Sequence, residues 1–342
     1  MQVTAQIRLY PTPGQEKLLQ STMAEYISAV NDLVAYYLGQ GRLVKMTSKD
    51  YIAKLPSALK AQALQDAKSV YKKCRKSHLL HTLKKPVSIW NNQNYKVKEQ
   101  LISFPVWANQ TQRIAVSAKI PKELMDTLSS SKLGTLRITK RNGKYIAQIA
   151  YERQEMPPAF QSDVIGVDLG IKCPAVAVSS GGKVHFFGNG RQNKFVRRRF
   201  RAKRRMLQKK KKRKAIKKIG KKEHRWMQDQ DHKISRQIIQ FAIQQGAGVI
   251  KLESLKGIRR TARTSRKNNH SLHSWTFYRL AHYIEYKANL VGIQVVYVDP
   301  RYTSQTCPQC GQRNKAKDRV YRCNCGYQAH RDLVGAKNIL AA

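Results

Sequence analysis

Four cysteines in one short stretch carry the most specific chemistry in the chain. Cys307 and Cys310 form a C-x-x-C pair, Cys323 and Cys325 a C-x-C pair, and a dozen mostly polar residues separate them. Two close pairs at this separation suit a tetrahedral four-thiolate site for one Zn²⁺ ion, because each pair bends the backbone so that two thiolates face one metal. Gly311 and Gly326 follow the second cysteine of each pair, where the turn needs room. Two disulfides, or four unrelated thiols, are the alternatives the spacing leaves open. Carboxylates supply a second chemistry. Asp168 interrupts the apolar run VIGVDLGI, Glu253 ends the run GVIKLE, and Asp332 opens a segment with Leu333, Ala336, Ile339 and Leu340 at helical spacing. Burying a carboxylate between Val167 and Leu169 is costly unless a cation compensates, so Asp168 reads as a metal ligand rather than a solvent-facing acid.

Charge points to the partner. The 342 residues carry 66 Lys and Arg against 20 Asp and Glu, a net charge of +46. Such an excess calls for a polyanion, with nucleic acid first and salt-sensitive affinity expected. A packing protein of ribosomal or chromatin type is the plainer alternative. An anionic membrane lacks support, since no run approaches the ~18 apolar residues of a spanning helix. The start, Met1 to Thr4, lacks the basic and apolar regions of a secretory signal. Cys74 and Cys173 are isolated, so cysteine use is metal-directed and points to a reducing, intracellular compartment.

The elements that must position these groups follow from periodicity. Residues 2–10 alternate as a strand, and Thr12-Pro13-Gly14-Gln15 has the form of a capping box with proline at the first helical position. Leu19, Met23, Tyr26, Val30, Leu33 and Tyr37 then mark one face of a long helix. Residues 48–97 read as mostly helical, with basic pairs at Lys72-Lys73 and Lys84-Lys85. From 98 to 155 the pattern returns to strands, and Asn142-Gly143 is a hairpin signal. Residues 1–11 and 98–155 thus form a β-barrel-like domain interrupted by helices; Trp90, Tyr95 and Trp107 are expected in its core before they are expected to stack on bases. Met156-Pro157-Pro158 reads as a linker. Beyond it come the strand with Asp168, strands at Ala175–Val178 and Val184–Phe187, and a Gly181-Gly182 turn. Three antiparallel strands, the first bearing an Asp, are how an RNase H-like fold opens.

Residues 194–225 are the most basic tract, with Glu223 its one acid. A disordered tail or a localisation signal is the usual reading of such a run. Here Phe195, Phe200, Met206, Leu207, Ile216 and Ile219 argue for helices that track a phosphate backbone. Arg197, Arg198, Arg201, Arg204, Lys209, Lys210, Lys211 and Lys212 are the expected contacts. Residues 256–273 read as a mobile basic loop over the site, with Arg259 and Arg260 as further contacts. Ser274 is expected to cap a helix with Trp275, Tyr278, Leu280, Ile284 and Ala288 inward, and Ile293–Val298 completes the sheet.

In this order and context, VDLG, KLESL, DPRYTSQTCPQCG and CNCGYQAHRDLVGAKNI resemble the TnpB family of transposon-encoded, RNA-guided DNA nucleases, relatives of the type V CRISPR effectors. The likeness is strongest over residues 160–342, including HKISR near His232. It implies an α+β multidomain architecture: a RuvC-like, RNase H-like nuclease domain with an inserted four-cysteine zinc knuckle, and a β-barrel wedge domain with a helical recognition insertion. The expected division is wedge at 1–11 and 98–157, recognition at 12–97, RuvC-like at 158–303 and 328–342, and the zinc-binding insertion at 304–327. The resemblance makes Asp168, Glu253 and Asp332 the catalytic acids, holding two Mg²⁺ ions for in-line hydrolysis of DNA. It makes Cys307, Cys310, Cys323 and Cys325 the ligands of one structural Zn²⁺. It implies a guide RNA and target double-stranded DNA as partners, a motif beside the target, a monomer within a ribonucleoprotein, and a bacterial or archaeal cytoplasm near the nucleoid. A compact CRISPR effector and a non-cleaving RNA-guided repressor share the scaffold, although a repressor is expected to lose acids. A DDE transposase is disfavoured by the zinc knuckle and basic helices.

Overall fold

The computed structural model describes residues 2–153, 163–258, 272–273, 275–316 and 318–342. The expected linker at 156–158, the expected cap Ser274, and Arg259 and Arg260 with most of the basic loop lie outside the described residues. The chain divides into two compact units, Met1–Gln154 and Glu155–Ala342.

The first unit is a seven-stranded sheet carrying two long helices. Strands β1 (Gln2–Tyr10), β2 (Val87–Trp90), β3 (Lys96–Lys98), β4 (Leu101–Ala108), β5 (Gln110–Ala118), β6 (Leu133–Arg141) and β7 (Lys144–Glu152) lie in the order β2-β6-β7-β1-β5-β4-β3. The sheet curls on itself: Trp90 on β2 donates from Nε1 to the Pro105 carbonyl on β4 at 2.9 Å, although four strands separate the two. Helix α1 (Pro13–Gly39) starts at a complete capping box, with Thr12 and Gln15 bonded reciprocally. Its stripe Leu19, Met23, Tyr26, Val30, Leu33 and Tyr37 is buried in one core with the sheet and with α2 (Ser57–Ser77). The β6–β7 hairpin turns at Asn142 and Gly143, both with positive φ (52° and 76°), as a tight turn matched to strand twist requires. A short helix α3 (Lys122–Ser130) completes the unit. The helical expectation for 48–97 fails outside α2. β2 and β3 are only four and three residues long, below the length at which alternation can be told from helical spacing, and they are held by pairing with β6 and β4. Trp90 and Tyr95 are buried, whereas Trp107 is half-buried.

The second unit is built on a five-stranded sheet, β10-β9-β8-β11-β12, comprising β8 (Asp163–Asp168), β9 (Ala175–Ser179), β10 (Val184–Phe187), β11 (Ala247–Glu253) and β12 (Gln294–Val298). β8, β9 and β10 are antiparallel neighbours, while β11 runs parallel to both β8 and β12. Helices cover both faces. Ile165, Val167, Ile250 and Leu252 point into a core with α6 (Lys222–Gln244) and α7 (Phe277–Asn289). Val176 and Val178 point the other way, against Ala336 of the last helix, α8 (Arg331–Ala341). Burial on both faces explains why β8 and β9 read as continuous apolar runs. The basic tract forms α4 (Gly190–Lys209), α5 (Arg213–Ile219) and the start of α6. A β-ribbon, β13 (Val320–Arg322) with β14 (Gln328–His330), precedes α8. In α7 the buried stripe is Phe277, Leu280, Ile284 and Ala288; Tyr278 is 78% exposed, because it falls one residue off that stripe rather than on it. Among the described residues no helix is long and apolar enough to cross a membrane.

Candidate metal centres

Strand alternation sets the first centre. On β8, Ile165 and Val167 face α6 and α7, so Gly166 and Asp168 face α8. On β11, Ile250 and Leu252 take the α6 side, so Lys251 and Glu253 take the α8 side, where Lys251 Nζ donates to the Leu340 carbonyl at 2.9 Å. Leu252 pairs with Val167 in parallel register, which sets Glu253 beside Asp168 at the carboxyl ends of adjacent strands. Helix α8 then lies directly on β8. A Cβ at Gly166 would meet the Ala336 carbonyl at 2.4 Å, and one at Gly335 would meet Asp168 Oδ2 at 3.1 Å, so two glycines permit the approach. Asp332, one helical turn before Gly335, brings the third carboxylate to the same place and is only 8% exposed.

The electrostatics are those of acids crowded together. Burial holds the Asp168 carboxyl well above the usual carboxylate range, and the neighbouring charges of Glu253 and Asp332 push it further, against Arg331 and Arg319. Glu253 is also raised by burial, offset by the Thr303 hydroxyl, which donates to its Oε1. Asp332 is held by Arg319, whose Nη1 donates to both carboxylate oxygens at 2.7 and 3.1 Å. The Asp332 amide in turn donates to His330 Nδ1 at 3.3 Å, capping the helix. Thr303 and Arg319 escaped the sequence reading. The only trace of Thr303 was its place in the DPRYTSQT run, and Arg319 was one of 66 basic residues.

The second centre is tighter. Cys307 and Cys325 Sγ atoms are 3.7 Å apart, Cys310 and Cys323 3.4 Å, and all four lie within 4.8 Å of one another. Among the described residues no other group of such ligands closes to this geometry. A disulfide needs ~2.0 Å, so these contacts are not disulfides, whereas a tetrahedron of thiolates around an ion at ~2.3 Å has edges of about 3.8 Å. Burial raises the Cys307 thiol, but amide bonds from Cys310 and Gln309 and the neighbouring thiols bring it down to about 7. Asn314 Nδ2 adds a bond to Cys323 Sγ at 3.1 Å. The four residues fit a divalent metal of thiolate preference. Asn338 ties this element to α8, donating to the carbonyls of Thr303 and Thr306 at 2.6 and 2.7 Å.

The expected phosphate contacts divide. Arg198, Arg201 and Lys209 to Lys212 are on the solvent side of the tract. Arg204 instead pairs with Glu223 at 2.5 Å, and Arg197 is half-buried between α4 and its neighbours. Arg204 at least is therefore engaged within the unit.

A five-stranded sheet of order 3-2-1-4-5, with acids at the ends of its first and fourth strands and a thiolate cluster before the last helix, defines a mixed α+β protein. The Cas12f1-like TNB domain model matches residues 277–339. A Cas12f1 CRISPR-associated endodeoxyribonuclease of Syntrophomonas palmitatica is 30% identical over 64% of this chain and 47% of its own. A TnpB-like protein of Methanocaldococcus jannaschii is 35% identical over 36% of this chain and 45% of its own. The chain thus spans less than half the length of these curated relatives. A Cas12f1 solved by cryo-EM with sgRNA and target DNA shares the fold, with a TM-score of 0.67 and 16% identity over 95% of this chain and 81% of that one. Over these stretches the chain is similar to Cas12f1 endodeoxyribonucleases and to TnpB-like proteins.

Proposed function

We propose that the protein is an RNA-guided DNA endonuclease that hydrolyses phosphodiester bonds at Asp168, Glu253 and Asp332. The observation that carries this reading is the convergence of three acids, from the ends of two adjacent strands and from the helix packed on them, which is unfavourable unless cations join them; the raised Asp168 carboxyl agrees with it. The names of the relatives, Cas12f1 endodeoxyribonuclease and TnpB-like protein, support the same activity. Two Mg²⁺ ions held by the three carboxylates would supply an activated water and neutralise the leaving oxygen. The chain's own groups do the rest. Asp168, placed between Glu253 on the adjacent strand and Asp332 on α8, would be the ligand shared by both ions. Thr303 orients Glu253 by its hydroxyl, and Arg319 must release Asp332 before that carboxylate serves a cation. Cys307, Cys310, Cys323 and Cys325 would hold a Zn²⁺ ion and so fix the element that carries Arg319.

In this reading the curled sheet is the wedge, which takes in β2 and β3 from within the expected recognition range 12–97, and the inserted helices α1 and α2 are the recognition domain. Guide RNA pairs with one DNA strand, and the basic helices hold the heteroduplex by its backbone. The working form is one copy of the chain in a cytoplasmic ribonucleoprotein. The Cas12f relatives favour a compact CRISPR effector as the second reading; its chemistry is the same, and the RNA that co-purifies separates the two.

The test is programmed cleavage of double-stranded DNA by protein purified with its RNA. Asp168→Ala, Glu253→Gln and Asp332→Ala are each expected to abolish cutting while RNA and target binding persist. Undiminished cutting by any one of them removes that residue from the site, and cutting by all three removes the proposal.

A further inference from the structure

The turn between β12 and the thiol cluster carries an exposed aromatic ring that neither metal centre uses. Tyr302 has φ at 63°, in the left-handed region that a bulky side chain rarely takes. Its carbonyl fixes the turn, accepting from the amides of Gln305 and Thr306 at 2.8 and 2.9 Å and from the Thr306 hydroxyl at 3.1 Å. Asparagine or glycine would close this turn with less strain, so the turn itself does not call for tyrosine. Nor does the core, since Tyr302 is 46% exposed. What the ring meets is Arg313, whose guanidinium carbon lies 3.9 Å from the ring centroid. The thiol loop brings Arg313 there: the Asn314 amide donates to the Gln305 carbonyl at 2.8 Å, and Thr306 and Arg313 form an antiparallel bridge. Among the described residues Arg313 pairs with no carboxylate. Tyr302 immediately precedes Thr303, whose hydroxyl donates to Glu253, so the pair stands at the rim of the carboxylate centre.

We propose that Tyr302 and Arg313 form a stacking platform for one unpaired nucleobase. The guanidinium laid over the ring holds it in place by a cation–π contact, and the uncovered part of the ring offers a π surface that any base can meet. The platform takes the base, while the chain's net charge of +46 takes the phosphates. Bases within a duplex are already stacked on one another, so the occupant is a base of a single strand. Two sources share this chemistry, a DNA strand and an RNA strand. The pair stands on its own contacts and does not depend on the endonuclease reading.

The experiment uses the full chain without added Mg²⁺, so that no cutting intervenes. The probes are short single strands of mixed sequence, as DNA and as RNA, each with an abasic strand of equal length and phosphate number. Affinity is measured over a range of salt. Tyr302→Asn removes the ring but keeps a side chain that tolerates the left-handed backbone, so its thermal unfolding is expected to match or exceed that of wild type. It is expected to weaken binding of base-bearing strands roughly five- to hundredfold and to leave abasic strands unchanged. Tyr302→Phe, which keeps the ring, is expected to restore the affinity. The salt slope is expected to stay the same in Tyr302→Asn, because a stacked base adds no phosphate contact. In wild type, photocrosslinking of a strand bearing 5-iodouracil is expected to label Tyr302. A loss confined to DNA, or to RNA, names the strand that supplies the base. Full affinity in Tyr302→Asn, an equal loss on abasic strands, or a fallen salt slope overturns the proposal. None of these readouts needs cutting, so failure here is distinct from failure of the endonuclease reading.

Discussion

The two clusters of the second unit, thiols and carboxylates, are built on opposite plans. The four cysteines come from one short stretch, 307 to 325, and their sulfurs already stand at the edges of a tetrahedron. The three acids come from positions 168, 253 and 332, and what unites them is a shared sheet face and a glycine-lined helix contact. A local cluster owes its geometry to its own turns and needs metal to fold. A distributed cluster owes its geometry to the core and keeps it under charge strain, with Arg319 standing as counter-ion to Asp332. Removing metal should therefore unfold the first and merely destabilise the second.

The largest effect is expected at the thiols. Cys307→Ser or Cys310→Ser should lose one zinc per chain, because a structural site contributes on the order of 10 kcal/mol of apparent binding energy to local folding. Metal analysis and hydrogen exchange across 307–325 check this; full protection of that segment without zinc would erase the contrast.

The acids should behave in the opposite sense. Asp168→Asn is expected to stabilise the metal-free protein by at least about 1 kcal/mol, since it removes a buried charge. The folded carboxyl sits above its ordinary value, so its contribution to stability is present below the unfolded value of about 3.9 and is lost as pH rises through the folded one. Thermal melts from about pH 4 upward should show the gain of Asp168→Asn widening with pH and shrinking when Mg²⁺ is added to wild type. A variant that melts below wild type at neutral pH would mean that Asp168 is satisfied without metal.

The same contrast marks what could be read from the chain alone. The thiol cluster is legible because its ligands are neighbours in sequence. Asp168 and Glu253 are legible for another reason: each is a lone acid in an apolar run, and strand alternation then assigns them one face. The Thr12 capping box and the Asn142-Gly143 turn were readable because their conformations are set locally. Contacts that depend on distant pairing were not. Arg319 reaches Asp332 only once the β13–β14 ribbon forms, and Thr303 reaches Glu253 only after a long stretch of intervening fold. β2 and β3 failed likewise, since their strand character comes from partners at β6 and β4 rather than from their own short sequences.

A smaller effect sharpens the link between the clusters. Arg319→Met is expected to tighten Mn²⁺ binding by the metal-free protein roughly two- to fivefold, the worth of a partly exposed ion pair. Electron paramagnetic titration reads this without any cleavage assay; weaker binding would make Arg319 a support of the site rather than a competitor for it. Smallest per residue is the basic tract. Neutralising Lys209 to Lys212 should lower the salt slope of RNA binding by ~0.7–0.9 per lost contact, equally for all sequences. An unchanged slope would make these lysines a solvated face, and a changed target preference would assign them a different role.

The most direct test is anomalous diffraction from crystals of the purified protein soaked in Mn²⁺, with data at the zinc and manganese edges. The account predicts a zinc peak among Cys307, Cys310, Cys323 and Cys325, and manganese peaks at Asp168, Glu253 and Asp332 with Arg319 swung away. Zinc at the thiols with no manganese at the acids, and Arg319 still on Asp332, would contradict it.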